Sequence, residues 1–209
     1  MSIKLKICGM REPGNILEVS ELQPDFMGFI FYPQSPRCVP DDFSLPIGLP
    51  TSIKRVGVFV NEKFEPISNT VNKHALDFVQ LHGNEPVTLC EELKLAGVGV
   101  IKVFSIGEGF DFGAVEPYKN AVDFFLFDTL GKYVGGNASA FDWDILNQYD
   151  QEVPFFLSGG ISPDNIQDIA KLSEMNLYAG DVNSGVEISP GVKDMNKIKE
   201  LLMNLKSTK

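Results

Sequence analysis

Short runs of β-branched and aromatic residues alternate along the chain with stretches of helix-like spacing. The runs begin near Lys4, Phe26, Arg55, Asp77, Gly99, Asp123, Pro154 and Asn176, at intervals of 22 to 31 residues. Each ends near a Gly, Asp, Asn or Ser, which stop strands and open turns. Helix-start signals stand between several of them. Ser162-Pro163-Asp164-Asn165 precedes Ile166, and Asn84-Glu85-Pro86 precedes Val87, with proline near the first turn in each. Strands alternating with helices predict a parallel α/β sheet. Eight such units predict a closed (β/α)8 TIM barrel rather than an open doubly wound sheet. At 209 residues the barrel is a compact one, since the fold typically takes about 250. One domain over residues 1–209 is expected. Pro40, Pro46 and Pro50 interrupt the second connection, so its helix is expected to be degenerate. In the last segment, Asp194 to Lys206, the residues Ile198, Leu201, Leu202 and Leu205 recur at helical spacing.

Apolar residues make up 44% of the chain and charged residues 22%, values of a globular protein and not of a disordered one. No run approaches the ~20 apolar residues of a membrane span. The start, Met1 to Lys6, has no signal-peptide core, so no membrane partner and a cytoplasmic location are expected. With 18 basic and 28 acidic residues the net charge is −10. That balance argues against nucleic acid as a partner. It leaves room for an anionic small molecule held by local dipoles and one or two cations. Cys8, Cys38 and Cys90 are odd in number and form no Cys-x-x-Cys, as in a reducing compartment. His74 and His82 are the only histidines, too few for an ordinary Cys/His zinc site.

In a barrel of this kind chemistry sits at the C-terminal ends of the strands. Those ends are Cys8 and Gly9, Phe31 with the loop to Arg37, Val60-Asn61, Gln80 to Gly83, Asp128-Thr129, Ser158-Gly159-Gly160, and Asp181. Alternation puts Lys4, Lys6 and Cys8 on the inward face of the first strand, and Phe124, Leu126 and Asp128 on that of the sixth. A cation near a thiol favours the reactive thiolate, so Lys6 is expected to activate Cys8. Barrel closure sets the eighth strand beside the first, which makes Asp181 the expected partner of Lys6. Each residue also has a plainer reading. A strand-end cysteine packs as a small core residue, an aspartate there caps a turn, and His82 or Arg37 can be structural or solvated. The two glycine-bearing loops weigh more together. Ser158-Gly159-Gly160 and Asp181 to Glu187 follow strands seven and eight, where this fold binds phosphate on backbone N–H groups.

The motifs run in order along almost the whole chain. They are Lys6-Ile7-Cys8-Gly9-Met10-Arg11, Gly28-Phe29-Ile30-Phe31, Ser35-Pro36-Arg37, Val56 to Asn61, and Val79-Gln80-Leu81-His82-Gly83. Then come Phe127-Asp128-Thr129, Gly135-Gly136, Phe141-Asp142-Trp143, Ser158-Gly159-Gly160, and Asp181 through Asp194. This set resembles phosphoribosylanthranilate isomerase, an enzyme of tryptophan biosynthesis. The resemblance implies an Amadori rearrangement of N-(5'-phosphoribosyl)anthranilate to 1-(2-carboxyphenylamino)-1-deoxyribulose 5-phosphate, with no cofactor and no metal. It implies Asp128 as the acid at the ring oxygen and Cys8 as the base at C2'. It implies Arg37 on the anthranilate carboxylate and the phosphate on the backbone around Gly159, Gly160, Asn183 and Ser184. Gln80, His82 and Asp181 complete the expected substrate-binding set. Family members are monomers or homodimers, and either is expected. The family's Gly-Gly-Thr/Ser-Gly run reads here Gly135-Gly136-Asn137-Ala138-Ser139-Ala140. Alanine at the second small position restricts positive φ, so closure of that loop is expected to differ.

Two alternatives stand beside this reading, the second of a different class. One is a different sugar-phosphate isomerase or lyase on a phosphate-binding barrel. The histidine-pathway isomerase resembles a two-aspartate design with Asp where Cys8 stands, and indole-glycerol-phosphate synthase would need Lys and Glu at the mouth. The other is a non-catalytic phospho-ligand-binding protein, which would need neither Cys8 nor Asp128.

Overall fold

The computed structural model describes residues 3–129 and 143–206; the Gly135 to Ala140 run lies outside them. Eight parallel strands form a closed barrel in chain order: β1 (Lys4–Ile7), β2 (Phe26–Ile30), β3 (Lys54–Phe59), β4 (Phe78–Leu81), β5 (Gly99–Ile106), β6 (Phe124–Thr129), β7 (Phe155–Ser158) and β8 (Leu177–Val182). β1 pairs with β8 in a register that sets Lys6 beside Asp181. Each strand begins within one residue of its predicted start, because the β-branched and aromatic runs are bounded by polar residues.

Helix α1 (Pro13–Glu21) has proline at its first turn, and α2 (Phe64–His74) ends on the left-handed Ala75. α3 (Val87–Leu95) follows Pro86. Between β2 and β3 the chain forms turns and no helix, as its prolines dictate. The later connections depart from the expected α-helices. Phe112–Tyr118, Trp143–Gln148 and Ile166–Leu172 are 3₁₀ helices. Pro117 denies the first an α-helical hydrogen bond. At the third, Asn165 does not cap the helix; its side chain bonds Ser162 N–H and the Gly160 carbonyl instead. After β8 come a 3₁₀ turn (Ser184–Val186), a hairpin of β9 (Glu187–Ser189) and β10 (Val192–Lys193), and α4 (Met195–Lys206).

The barrel interior is graded from apolar to polar. At the N-terminal end Phe26, Phe78, Phe124, Phe156 and Tyr178 pack ring on ring, with centroids 4.4–6.1 Å apart. Lys6, Gln80 and Asp181 are buried above them, and Cys8, Ile30 and Val58 cluster at the mouth. Asp25, Asp77 and Asp123, each just before an even-numbered strand, accept the backbone N–H of Leu5, Arg55 and Val100 at 2.8–2.9 Å. These bonds tie each strand pair at its base. Among the described residues no helix is long and apolar enough to cross a membrane.

Candidate active site

A cavity of about 220 Å³ opens at the C-terminal mouth of the barrel. It gathers Cys8, Gln80, His82, Asp128, Gly159, Gly160, Asp181, Asn183 and Ser184. Arg37 alone of the sequence-predicted set is not in its lining.

Cys8 follows β1 and stays in the ladder, its N–H donating to the Val182 carbonyl at 2.8 Å. Its thiol occupies space that Gly28 leaves empty, since a Cβ at Gly28 would lie 2.7 Å from Sγ. Lys6 Nζ lies 2.9 Å from Asp181 Oδ1, with both side chains buried, so the expected pair forms. Its effect on the thiol differs from the expectation. Burial pushes Cys8 up, Lys6 and Lys193 pull it down, Asp181 opposes them, and the thiol ends above its ordinary value. The resting thiol therefore holds its proton more tightly than a free cysteine, and Lys6 limits that penalty without reversing it. Burial also disfavours the Lys6 charge, but attraction to Asp181 and Cys8 outweighs it, and the ammonium holds its proton above the usual range.

Across the cavity, His82 Nε2 lies 3.4 Å from Asp128 Oδ2. Gln80 Nε2 sits 3.3 Å from His82 Nδ1. Gln80 Oε1 is buried and has no hydrogen-bond partner among the described residues. The turn that carries His82 is held from behind by residues the sequence reading did not single out. Lys102 Nζ donates to the carbonyls on either side of His82, at Leu81 (3.2 Å) and Gly83 (2.7 Å), and to Glu85 Oε2 (2.9 Å). Glu85 in turn accepts the N–H groups of Asn61 (2.8 Å) and Gly83 (2.9 Å). Both ions are 2% exposed. The available signal was a lysine on the outward, otherwise apolar face of β5.

The two glycine-bearing loops nest against each other. Gly159 and Gly160 have φ of 98° and 68°, which non-glycine residues resist. A Cβ on Gly185 would meet the Ile161 carbonyl oxygen at 2.2 Å. Small residues thus let both backbones line one wall of the cavity, the kind of wall on which backbone N–H groups can hold an oxyanion.

Arg37 stands at the rim. Ser35 Oγ accepts the Arg37 N–H at 3.1 Å. The guanidinium grips Glu187, Nε to Oε1 at 2.9 Å and the second terminal nitrogen to Oε2 at 2.7 Å. Nothing in the local sequence marks Glu187 as a site residue, because its partner lies 150 positions away. The side edge of the guanidinium is thereby taken. Its end edge, the two terminal nitrogens, meets no second carboxylate among the described residues and has the fork geometry to hold one. A Cβ at Gly9 would meet Asn183 Oδ1 at 2.6 Å and Arg37 Cδ at 2.9 Å, so Arg37 and Asn183 converge beside Cys8. Among the described residues no three His, Cys, Asp or Glu side chains form a metal-binding group.

The chain matches the family model described as N-(5'phosphoribosyl)anthranilate (PRA) isomerase over residues 5–204. It is 42% identical to the N-(5'-phosphoribosyl)anthranilate isomerase of Parabacteroides distasonis over 204 residues, covering 96% of this chain and 92% of that one. Among solved structures it superposes on the phosphoribosyl anthranilate isomerase of Thermotoga maritima with a TM-score of 0.87 and 34% identity, covering 98% and 99% of the two chains. A crystal structure of such an isomerase in complex with reduced 1-(o-carboxyphenylamino)-1-deoxyribulose 5-phosphate gives a TM-score of 0.85 at 33% identity, covering 98% and 99%. Matched over nearly its whole length in sequence and in fold, the chain belongs to the phosphoribosylanthranilate isomerase family and is an isomerase of tryptophan biosynthesis.

Proposed function

We propose that Cys8 and Asp128 are the base and acid of an Amadori rearrangement of N-(5'-phosphoribosyl)anthranilate in this cavity. The observation that supports this reading is their placement. They reach one small cavity from β1 and β6, between a wall of glycine backbone and the Arg37 rim. Asp128 gives a proton to the furanose ring oxygen as the C1'–O bond breaks, and the anilino nitrogen supplies the electron pair. The product is an open-chain iminium ion. Cys8 then removes the C2' proton, and the electrons neutralise the iminium nitrogen to give an enolamine. Transfer of the C2' hydroxyl proton to C1' yields the aminoketone. The turnover begins with Cys8 as thiolate and Asp128 as acid and ends with the thiol and the carboxylate, and passage of one proton from Cys8 to Asp128 across the cavity restores the pair, so atoms and charge balance. The iminium charge both acidifies C2'–H and favours the thiolate beside it, which answers the upward push of burial on Cys8. The phosphate rests on the loops of Gly159, Gly160 and Ser184, and the end fork of Arg37 takes the anthranilate carboxylate. Gln80 Oε1, buried and without a hydrogen-bond partner among the described residues, accepts a hydrogen bond from a sugar hydroxyl.

The test is steady-state turnover of freshly generated substrate, followed by loss of its fluorescence. Cys8→Ser and Asp128→Asn should each lower kcat by about 10²-fold or more with a smaller change in binding. Turnover close to the unmodified enzyme in either variant would defeat the assignment.

A further inference from the structure

Lys193 lies on β10, outside the barrel, and its side chain is fully buried. An ammonium has three hydrogens to place, and three acceptors surround this one. They are Asn183 Oδ1 at 2.8 Å, the Asn183 carbonyl at 3.2 Å and Glu187 Oε1 at 2.8 Å. The backbone of Lys193 is itself anchored, exchanging two hydrogen bonds with the Asn15 side chain on α1 at 2.7 and 3.0 Å. Burying an ammonium is unfavourable unless it is paired, and an apolar side chain would fill the same volume without that penalty. What the ammonium does that an apolar side chain could not is set the direction of two hydrogen-bonding groups.

The first group is the Asn183 amide. Because an ammonium only donates, Asn183 Oδ1 must face Lys193, which turns the Nδ2 donors away from it. The second is the Arg37 guanidinium. Glu187 Oε1 is shared by Lys193 and Arg37 Nε, and Gly191 N–H adds a third donor at 3.1 Å. The carboxylate is thus fixed, and its fork fixes the plane of Arg37. We propose that Lys193 is a positioning residue that presents donors to both anionic ends of the substrate at once, Asn183 Nδ2 to the phosphate loop and the Arg37 end fork to the carboxylate. The proposal rests on the placement of those two ends given above. Without the ammonium, Asn183 can turn its carbonyl oxygen toward the anion, and Glu187 can swing with Arg37.

The experiment compares unmodified enzyme with Lys193→Met, Lys193→Arg, Glu187→Gln and Arg37→Ala, each checked for folding by circular dichroism. Inorganic phosphate and anthranilate are titrated separately by calorimetry, and kcat and KM are measured with phosphoribosylanthranilate. Lys193→Met should weaken both ligands and raise KM about tenfold or more, the scale of losing a charge-assisted hydrogen bond, with a smaller fall in kcat. Glu187→Gln should weaken anthranilate only, and Lys193→Arg should recover part of the loss. In the double variant Arg37→Ala/Lys193→Met, the anthranilate effects should be less than multiplicative, because Lys193 acts there through Arg37. If Lys193→Met does not fold, Lys193→Arg decides, by a smaller loss for both ligands; unchanged affinities for both in that variant would overturn the proposal. Unchanged affinities in folded Lys193→Met, or independent multiplication with Arg37→Ala, would overturn the proposal. An Arg37→Ala variant with normal anthranilate affinity would instead defeat the placement of the carboxylate.

Discussion

Replacing Lys102 with methionine isolates the contribution of the buried pair behind His82. The substitution leaves the Glu85 carboxylate buried, still bonded to the N–H groups of Asn61 and Gly83 but without its ammonium. It also strips a donor from the Leu81 and Gly83 carbonyls. Removing one side of such a pair destabilises by about 3–5 kcal/mol, a large part of the roughly 5–15 kcal/mol that holds a domain together. Glu85→Gln is gentler. Its amide oxygen in the place of Oε1 still accepts both N–H groups, and Lys102 loses the carboxylate but keeps its carbonyls, so about 1.5–3 kcal/mol is expected. Lys102→Met/Glu85→Gln buries no charge at this place. It should be more stable than Lys102→Met alone by at least about 1 kcal/mol, a non-additivity that two independent sites would not show. Urea unfolding followed by circular dichroism reads these values from midpoints at a common slope. Because the pair grips the backbone on both sides of His82, kcat/KM of folded Lys102→Met should also fall, by roughly tenfold, through misplacement of the His82–Asp128 contact. A loss below about 1 kcal/mol in Lys102→Met would refute the reasoning, given the ordinary size of a broken buried pair. A double variant as unstable as the sum of the singles would do the same.

Two further outcomes follow from charge. In a Cys38→Ser/Cys90→Ala background, iodoacetamide should alkylate Cys8 with a midpoint above that of a free thiol, because burial outweighs Lys6. Lys6→Met should move the midpoint higher and Asp181→Asn lower; coincident profiles would show that neither charge reaches the sulfur. Burial alone would raise the Glu187 carboxyl, but hydrogen bonds from Arg37 and Lys193 bring it below the ordinary glutamate range. A carboxyl lowered by folding contributes stability above its unfolded value, near ~4.3, and loses it as pH falls through the folded value. The stability advantage over Glu187→Gln should therefore be level at neutral pH and shrink below about pH 4. A difference unchanged across the acid range would exclude that role.

The strand order and the cavity were legible because both depend on local pattern. Eight runs of β-branched and aromatic residues with polar boundaries define the barrel, and barrel closure alone brings Cys8, Gln80, Asp128 and Asp181 to one mouth. The pairing of Lys6 with Asp181 was readable from alternation plus closure, since adjacent strands have a fixed neighbour. What escaped depends on side chains meeting across long intervals. Arg37 meets Glu187 across 150 positions, and Lys193, on a hairpin with no pattern of its own, is anchored by Asn15 across 178. The 3₁₀ helix at Ile166 was missed because its start signal is genuine but Asn165 spends its side chain on the glycine loop. The raised Cys8 thiol escaped for another reason. Sequence shows the neighbouring cation, but the depth of burial opposing it appears only once the fold is built.

The aromatic cluster of Phe26, Phe78, Phe124, Phe156 and Tyr178 makes the barrel a vessel with one opening. No ligand can pass through it from end to end, so substrate enters and product leaves by the same doorway. Each turnover then ends with a vacating step, and an anion that lodges against the glycine-bearing loops obstructs arrival and departure alike. Substrate and product must exclude each other sterically, which gives competitive product inhibition its simplest physical origin here. The traffic of this enzyme is set by its floor as much as by its reacting groups, although no floor residue comes near the chemistry.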